Sequence, residues 1–562
     1  MLKIATLTTR GFGSSRSRHN LCEKVVRFTS IMAFLLRVGD TVKATKRSLF
    51  SLCGKPRALP ALAFLIPTFV RAIPEILMGP FVVGFDVLAY NIPNTLLWLR
   101  GSVSAANFVG SAPLFYLLLM GITYAGVPIV FSVKVLSPLL LGFLGLAVFY
   151  YAKKSLLWSS RKSLLVVLFA TLYFVALRVS WDMLRSELSL IFLFVTFFFL
   201  EKRGGSTKNW LLLSFSMIAV VATHQLVAVI MLFVVLLTTF GLAFGRDAKE
   251  ATKLICCSMP AIFFFLLVSA NYSLSLGVAA PFISFPGLTS NGWLSLFGFA
   301  SKANLTIDSL GFLVVCYLPL LPLLYLGFKR RISPHLEAWI LWILIAVSVA
   351  VITAYVFFGI LPYRWILLLT FPFAFVAAEG FAQLTKRKDK IVISSAMVFL
   401  SLSFVVLPSG FTLPYFSLFS HYGPASMLQN TVPLSDCHDT LNALDWAGNN
   451  FGNESRLLVH DAFYGWAILT INDEQLIPYG YNDPEAVATE LTQNGSGYQL
   501  YLIWWINGTG WHGQINVPKS FAQVYRSGNI AIYSLNSDND VFSLQKTSDF
   551  PCSVESSKRR LW

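Results

Sequence analysis

Charge is what this 562-residue chain has least of: 12% of its residues are Asp, Glu, Lys or Arg, against about 25% in a soluble globule. With 56% hydrophobic residues beside that shortage, a single water-soluble core is excluded and a polytopic membrane protein is expected. Acids are scarcer than bases, 27 against 43, so the net charge is +16. The bases stand in short clusters between apolar runs rather than on one continuous face, which reads as a topology signal and excludes nucleic acid as a partner. Seven cysteines contain no CxxC pair, so neither a zinc spacing nor a disulfide framework is present. The apolar patch Ile31–Leu36 is too short to span a bilayer or to serve as the h-region of a cleaved signal.

What is present is a series of apolar runs near the ~20 residues that cross about 30 Å of hydrocarbon. They cover 59–74, 131–151, 163–178, 187–201, 209–223, 225–245, 254–275, 306–328, 336–357, 362–383 and 391–408. Between alternate runs stand Lys153-Lys154, Lys202-Arg203, Arg246 with Lys249, Lys329-Arg330-Arg331 and Lys386-Arg387-Lys388. All fall on the side of the basic N-terminal segment, which the positive-inside rule makes cytoplasmic. The stretch 113–130 is apolar but broken by Gly121, Gly126 and Pro128, and counting it as a twelfth span would move every basic cluster outside. It is expected to lie along the outer surface. The sequons at Asn271, Asn304, Asn453, Asn494 and Asn507 are all external in this scheme.

The expected organisation is therefore a basic cytoplasmic segment 1–57, a multi-span domain 58–408 with a first external loop 71–130, and an external α/β domain 409–562. After Pro408 acids outnumber bases. Leu441–Asn449 and Pro484–Thr492 read as helices, and Arg456–His460 and Gln499–Trp505 as strands. Phe521–Arg526 and Ile530–Leu535 read as a hairpin around Ser527-Gly528-Asn529. Cys437 and Cys552 fall in this domain and are able to pair if it is external.

Because a bilayer penalises every charge without a task or a partner, the few charges at span ends carry the information. Asp86, in Gly84-Phe85-Asp86-Val87-Leu88-Ala89-Tyr90, is an isolated carboxylate just beyond the first span. Arg178-Val179-Ser180-Trp181-Asp182-Met183-Leu184-Arg185-Ser186-Glu187 is a charged collar on the side where arginine is disfavoured. It reads either as a phosphate clamp or as a self-satisfied helix cap. His224 sits at an external turn, and Arg364 opens a long span between aromatics, as a phosphate ligand or as a headgroup anchor. Asp461 to Trp466 is expected as an aromatic turn.

One external carboxylate with arginines near the membrane plane suits transfer from a lipid-phosphate carrier. A phosphate leaving group needs no general acid, so one carboxylate suffices as base on the acceptor hydroxyl. Arginine stabilises the charge on the departing phosphate.

In its first span, the loop carrying Asp86, the juxtamembrane helix, the many further spans and the terminal α/β domain, the chain after residue 59 resembles the GT-C class of integral-membrane glycosyltransferases. That class includes protein O-mannosyltransferases, lipid A aminoarabinose transferases and oligosaccharyltransferase catalytic subunits. The resemblance implies a multi-pass cell-membrane enzyme with about eleven transmembrane helices and a small C-terminal extracytoplasmic α/β domain. It implies a polyprenyl-phosphate-linked sugar as donor and a protein, lipid or glycan as acceptor. Asp86 is the implied catalytic acid, with Arg185 and Arg364 as candidates for the implied donor-phosphate ligands; Arg178 is a further candidate ligand, and Asp182, Glu187, His224 and Tyr90 are candidate accessory residues. Oligosaccharyltransferases carry two acids one residue apart around a divalent metal, and a Trp-Trp-Asp-Tyr-Gly signature. Here Asp86 has apolar neighbours and the nearest stretch is His460-Asp461-Ala462-Phe463-Tyr464-Gly465-Trp466, so no cofactor is assigned. The competing readings are an oligosaccharyltransferase relative that transfers a whole glycan, and a lipid or solute transporter, which would show mid-span charges, paired broken helices or internal symmetry.

Overall fold

The computed structural model describes residues 58–101, 104–203, 206–245, 247–275, 299–330, 332–352, 362–418, 423–479, 483–493, 497–507, 509–510, 513–514 and 517–535. The segment 1–57, Asn494 and Cys552 lie outside these residues.

Within the described residues each of the eleven apolar runs becomes a helix or a pair of helices, and 353–357, the end of the ninth run, lies outside them. Among the described residues seven are long and apolar enough to cross a membrane: Leu59–Leu77, Ile129–Lys154, Gln225–Phe244, Ala248–Ala270, Thr306–Gly327, Tyr363–Gln383 and Arg387–Val406. The pair Ser160–Leu172 and Phe174–Asp182, bent by 57°, passes the same test only when taken together, as a broken span or a re-entrant loop. Leu184–Glu201, Thr207–Thr223 and Pro334–Ile352 complete the set. The chain is a multi-pass helical membrane protein, and its surface agrees: Phe69, Phe131, Phe215 and Phe263 are all more than half exposed, as side chains facing lipid are. The interior between the helices is aromatic, with Trp181, Trp339, Trp365, Tyr151 and Tyr173 fully buried.

Among the described residues, side-chain contacts bring the ends of the helices near Tyr151, Lys162, Glu201, Arg330, His335 and Glu379 together at one end of the bundle. Glu379 meets Lys162 and Arg330 there, and Glu201 meets His335 at 3.2 Å. At the opposite end the segment 113–130 forms only the short helix Leu114–Tyr124 before the next span begins at Ile129.

The first span runs further than its apolar composition indicates. Arg71 and Glu75, expected to open a loop, are buried within the helix Leu59–Leu77 and pair one turn apart at 2.8 Å. Glu75 also takes Lys134 at 3.4 Å, and that ammonium donates to the carbonyls of Glu75 and Phe81. Two bases on one acid offset the desolvation that would otherwise expel a lone charge from a buried helix. The chain leaving the helix is thereby tied to the start of the next span.

The C-terminal α/β domain is built on seven strands: β1 (Ser455–Val459), β2 (Leu476–Pro478), β3 (Gln499–Trp505), β4 (Thr509–Gly510), β5 (Gly513–Gln514), β6 (Phe521–Ser527) and β7 (Ile530–Leu535). β4 and β5 form a separate two-stranded ladder, and the main sheet has the order β2-β1-β3-β7-β6. β1 runs parallel to β2 and β3, while the β3–β7 and β7–β6 pairs are antiparallel. Central β3 is buried along all but its first residue, which is why its sequence is a near-continuous apolar run. The expected helices and hairpin are present. The expected aromatic turn at Asp461–Trp466 is instead the start of a helix, Asp461–Thr470, whose N-cap is His460: its Nδ1 accepts from the Ala462 amide at 3.1 Å.

Candidate active site

Asp86 does not lie in an open loop. It stands at the head of a π-helical segment, Val87–Asn91, that continues into the helix Ile92–Leu99. Such wide turns lack the regular hydrogen-bond spacing and tend to occur where a site requires them. Gly84 fixes the approach: its φ is +106°, and a Cβ there would stand 1.9 Å from the Trp181 carbonyl oxygen. Only glycine allows the loop to pass so close to the Phe174–Asp182 helix. The Gly84 amide and the Trp181 indole both donate to the Gln429 carbonyl, at 3.1 and 2.9 Å. The first loop, the broken span and the segment leading to the C-terminal domain are pinned at one atom.

Across the site, Arg364 at the start of the helix Pro362–Leu368 points Nη2 at both Asp86 oxygens, 3.1 Å from Oδ2 and 3.4 Å from Oδ1. Its Nε donates to the Tyr363 hydroxyl at 3.1 Å. Both partners keep some access, with side chains 17% and 32% exposed, so an incoming anion or hydroxyl has a path to either. Asp182 pairs with Arg178 at 2.6 Å and lies within electrostatic reach of Asp86 and Arg364. The Arg178 guanidinium stacks 4.9 Å over the Trp181 ring. The break at Tyr173 turns this last part by 57° from the helix before it.

Arg185 and His224 complete the group. Arg185 donates to the Tyr116 hydroxyl at 3.3 Å and to the Ser111 carbonyl, with its guanidinium 5.0 Å from the Tyr116 ring centre. His224, in the break between Thr223 and Gln225, lies within electrostatic reach of Arg185 and Arg364. The structure thus brings Asp86, Arg364, Asp182, Arg178, Arg185 and His224 to one end of the bundle.

Two expected residues stand apart. Glu187 is fully buried beside Arg71, and neither carboxylate oxygen has a hydrogen-bond partner among the described residues. Tyr90 turns toward the C-terminal domain, its hydroxyl donating to Asp461 Oδ2 at 3.4 Å. Burial raises the Asp461 carboxyl above its usual range, with the Tyr90 hydrogen bond acting in the opposite direction. Arg100 and Asp473 form a second tie at 2.9 Å. Gly465 makes the closest one: a Cβ on it would stand 1.7 Å from the Leu88 carbonyl oxygen. Sequence reasoning missed Gln429 and gave Gly465 and Tyr363 no role of their own, for a lone amide, a glycine and an interfacial tyrosine carry little signal until the fold assembles them.

A divalent metal does not fit this donor set. Among the described residues no three His, Cys, Asp or Glu side chains converge, and both carboxylates of the cluster already face guanidinium groups.

No protein-family model matches the chain, and no curated protein matches it. Among solved structures it is similar to ArnT from Cupriavidus metallidurans bound to undecaprenyl phosphate, with 12% identity, a TM-score of 0.47, and 84% of this chain and 97% of that one covered. It is similar also to ArnT from the same organism in the apo state, with 10% identity, a TM-score of 0.33, and 87% and 98% of the two chains covered.

Proposed function

We propose that this protein is a membrane glycosyltransferase that moves a sugar from a polyprenyl-phosphate-linked donor to an acceptor hydroxyl, with Asp86 as general base and Arg364, Arg178 and Arg185 as candidate phosphate ligands. The observation that supports it is the Asp86–Arg364 pair, a partly accessible carboxylate and guanidinium in contact at 3.1 Å within a cluster containing two further arginines. A base and an anion site side by side are what transfer from a phosphate leaving group requires.

In this reading the resting pair is self-quenched. A donor phosphate competes for Arg364, because guanidinium binds phosphate in the same two-point geometry as carboxylate, and Asp86 is released to accept a proton. The acceptor oxygen forms a bond to the anomeric carbon while the bond from that carbon to the phosphate oxygen breaks. The acceptor proton passes to Asp86, and polyprenyl phosphate leaves against the arginines. Attack opposite the leaving group through an oxocarbenium-like state inverts the anomeric centre. In our reading this end of the bundle is external and the basic end cytoplasmic.

The test is single-turnover transfer from a radiolabelled polyprenyl-phosphate sugar by purified Asp86→Asn. Transfer is expected to fall by about 10²–10⁴-fold, the typical contribution of one positioned acid–base group, while expression and carrier binding persist. Activity within a few-fold of the parent removes Asp86 from the mechanism.

A further inference from the structure

Far from the Asp86 cluster, at the basic end of the bundle, the helices Ile129–Lys154 and Leu184–Glu201 leave a groove of about 560 Å³ between them. Its walls include Phe143, Tyr150, Phe194 and Phe198, and its two charged lining residues are Lys154 and Lys202. Both lysines cap their walls at the same end. On each wall the lining runs back eleven residues, from Lys154 to Phe143 and from Lys202 to Ile191. Eleven residues of helix rise about 16 Å, close to half of the ~30 Å hydrocarbon thickness.

Among the described residues these charges are uncompensated. Neither lysine pairs with a carboxylate among the described residues, and Glu201, the nearest acid in sequence, is turned to His335. Lys202 holds its ammonium 4.2 Å over the Phe198 ring, at the mouth of the groove. An apolar slot one leaflet deep, closed at the water end by two cations, has the shape and charge of an anionic lipid with one chain laid along it.

We propose that this groove binds one anionic glycerophospholipid from the leaflet at the basic end, with its phosphate between Lys154 and Lys202 and an acyl chain against the aromatic wall. The occupant is not the sugar donor. On the function proposed above, the donor phosphate lies beside Arg364, which pairs with Asp86 and lies within electrostatic reach of Asp182, and not beside the two lysines. The site fastens one leaflet's lipid to two helices that also carry the interior of the bundle, where Tyr151, Phe194 and Phe197 pack together.

The experiment uses the full chain in vesicles of equimolar phosphatidylglycerol and phosphatidylcholine, followed by gentle detergent extraction and native mass spectrometry. The parent is expected to retain one phosphatidylglycerol in strong preference to phosphatidylcholine. In a Lys154→Gln, Lys202→Gln double variant the preference is expected to fall about 25-fold, two basic groups each contributing about fivefold near an anionic headgroup. Ala147→Trp, which fills the groove and keeps both lysines, is expected to lose the retained lipid of either kind. Three results overturn the proposal: parent protein that retains the two lipids in proportion to the mixture, a folded double variant that keeps its phosphatidylglycerol, or retention of added polyprenyl phosphate in its place.

Discussion

Arg364 is the residue whose two roles separate most cleanly by substitution. As a phosphate ligand it needs both charge and a planar two-point donor, whereas as a headgroup anchor it needs charge alone. Arg364→Lys is therefore expected to bind carrier more weakly than the parent, and Arg364→Ala more weakly still, with the alanine variant down about 10- to 100-fold, the range for hydrogen bonds to charged groups. Carrier binding measured by titration of tryptophan fluorescence decides it, and equal affinity across the series assigns the clamp to Arg178 or Arg185. Asp86 and Arg364 were each legible in the sequence because a charge at a span end is conspicuous in a chain so poor in charge. Their contact was not legible, for it joins positions 278 residues apart and depends on which helices become neighbours. The same limit applies inside the collar. Asp182 and Arg178, four apart, are a local pair that spacing alone suggests, but Glu187, a few residues on, faces Arg71 from another helix.

At the scale of elements, the contact between the π-helical segment and the helix Asp461–Thr470 is the joint on which the position of Asp86 depends. Gly465→Ala brings a methyl against the Leu88 carbonyl, at a point where the obstacle is backbone and cannot rotate away. It is expected to displace the segment and lower transfer while the far-UV helix signal stays unchanged; full activity would show that the joint tolerates movement. Asp461 at the same joint supplies a pH test. Burial raises its carboxyl, so the protonated form is favoured in the fold. A raised carboxyl contributes fully below the unfolded value of about 3.9 and loses that contribution as pH climbs toward the folded value. The thermal midpoint of the parent, read by intrinsic fluorescence, is expected to drop more between pH 4 and 7 than that of Asp461→Asn, which keeps an acceptor for Tyr90. Parallel curves would place the titration elsewhere. Helix and strand positions were readable because run length and period answer to local composition. The π-helical segment, the bend at Tyr173 and the Asp461–Thr470 helix were not, since each is imposed by what packs against it.

On the scale of the whole molecule, the distribution of charge makes a claim that a helix inventory alone cannot make. We propose eleven spans, which would put the two ends of the chain on opposite faces, with the basic connections at one end of the bundle facing the cytoplasm. In that proposal the Asp86 cluster and the sheet domain face outward, where a donor would reach the site from the outer leaflet and the acceptor would arrive from water. An even number of spans would leave the same helices and the same contacts but set the sheet domain beside the basic N-terminal segment. Lys249 lies exposed in the basic end and Glu474 lies exposed in the sheet domain, so each tolerates replacement by cysteine. In a background without the native cysteines, intact cells treated with an impermeant maleimide are expected to label Glu474→Cys readily and Lys249→Cys only after lysis. Labelling of both from one side breaks the alternation between those positions and removes a span from the count. Labelling of Lys249→Cys alone from outside inverts the molecule, and the candidate site would then have to draw its donor from the cytoplasmic leaflet.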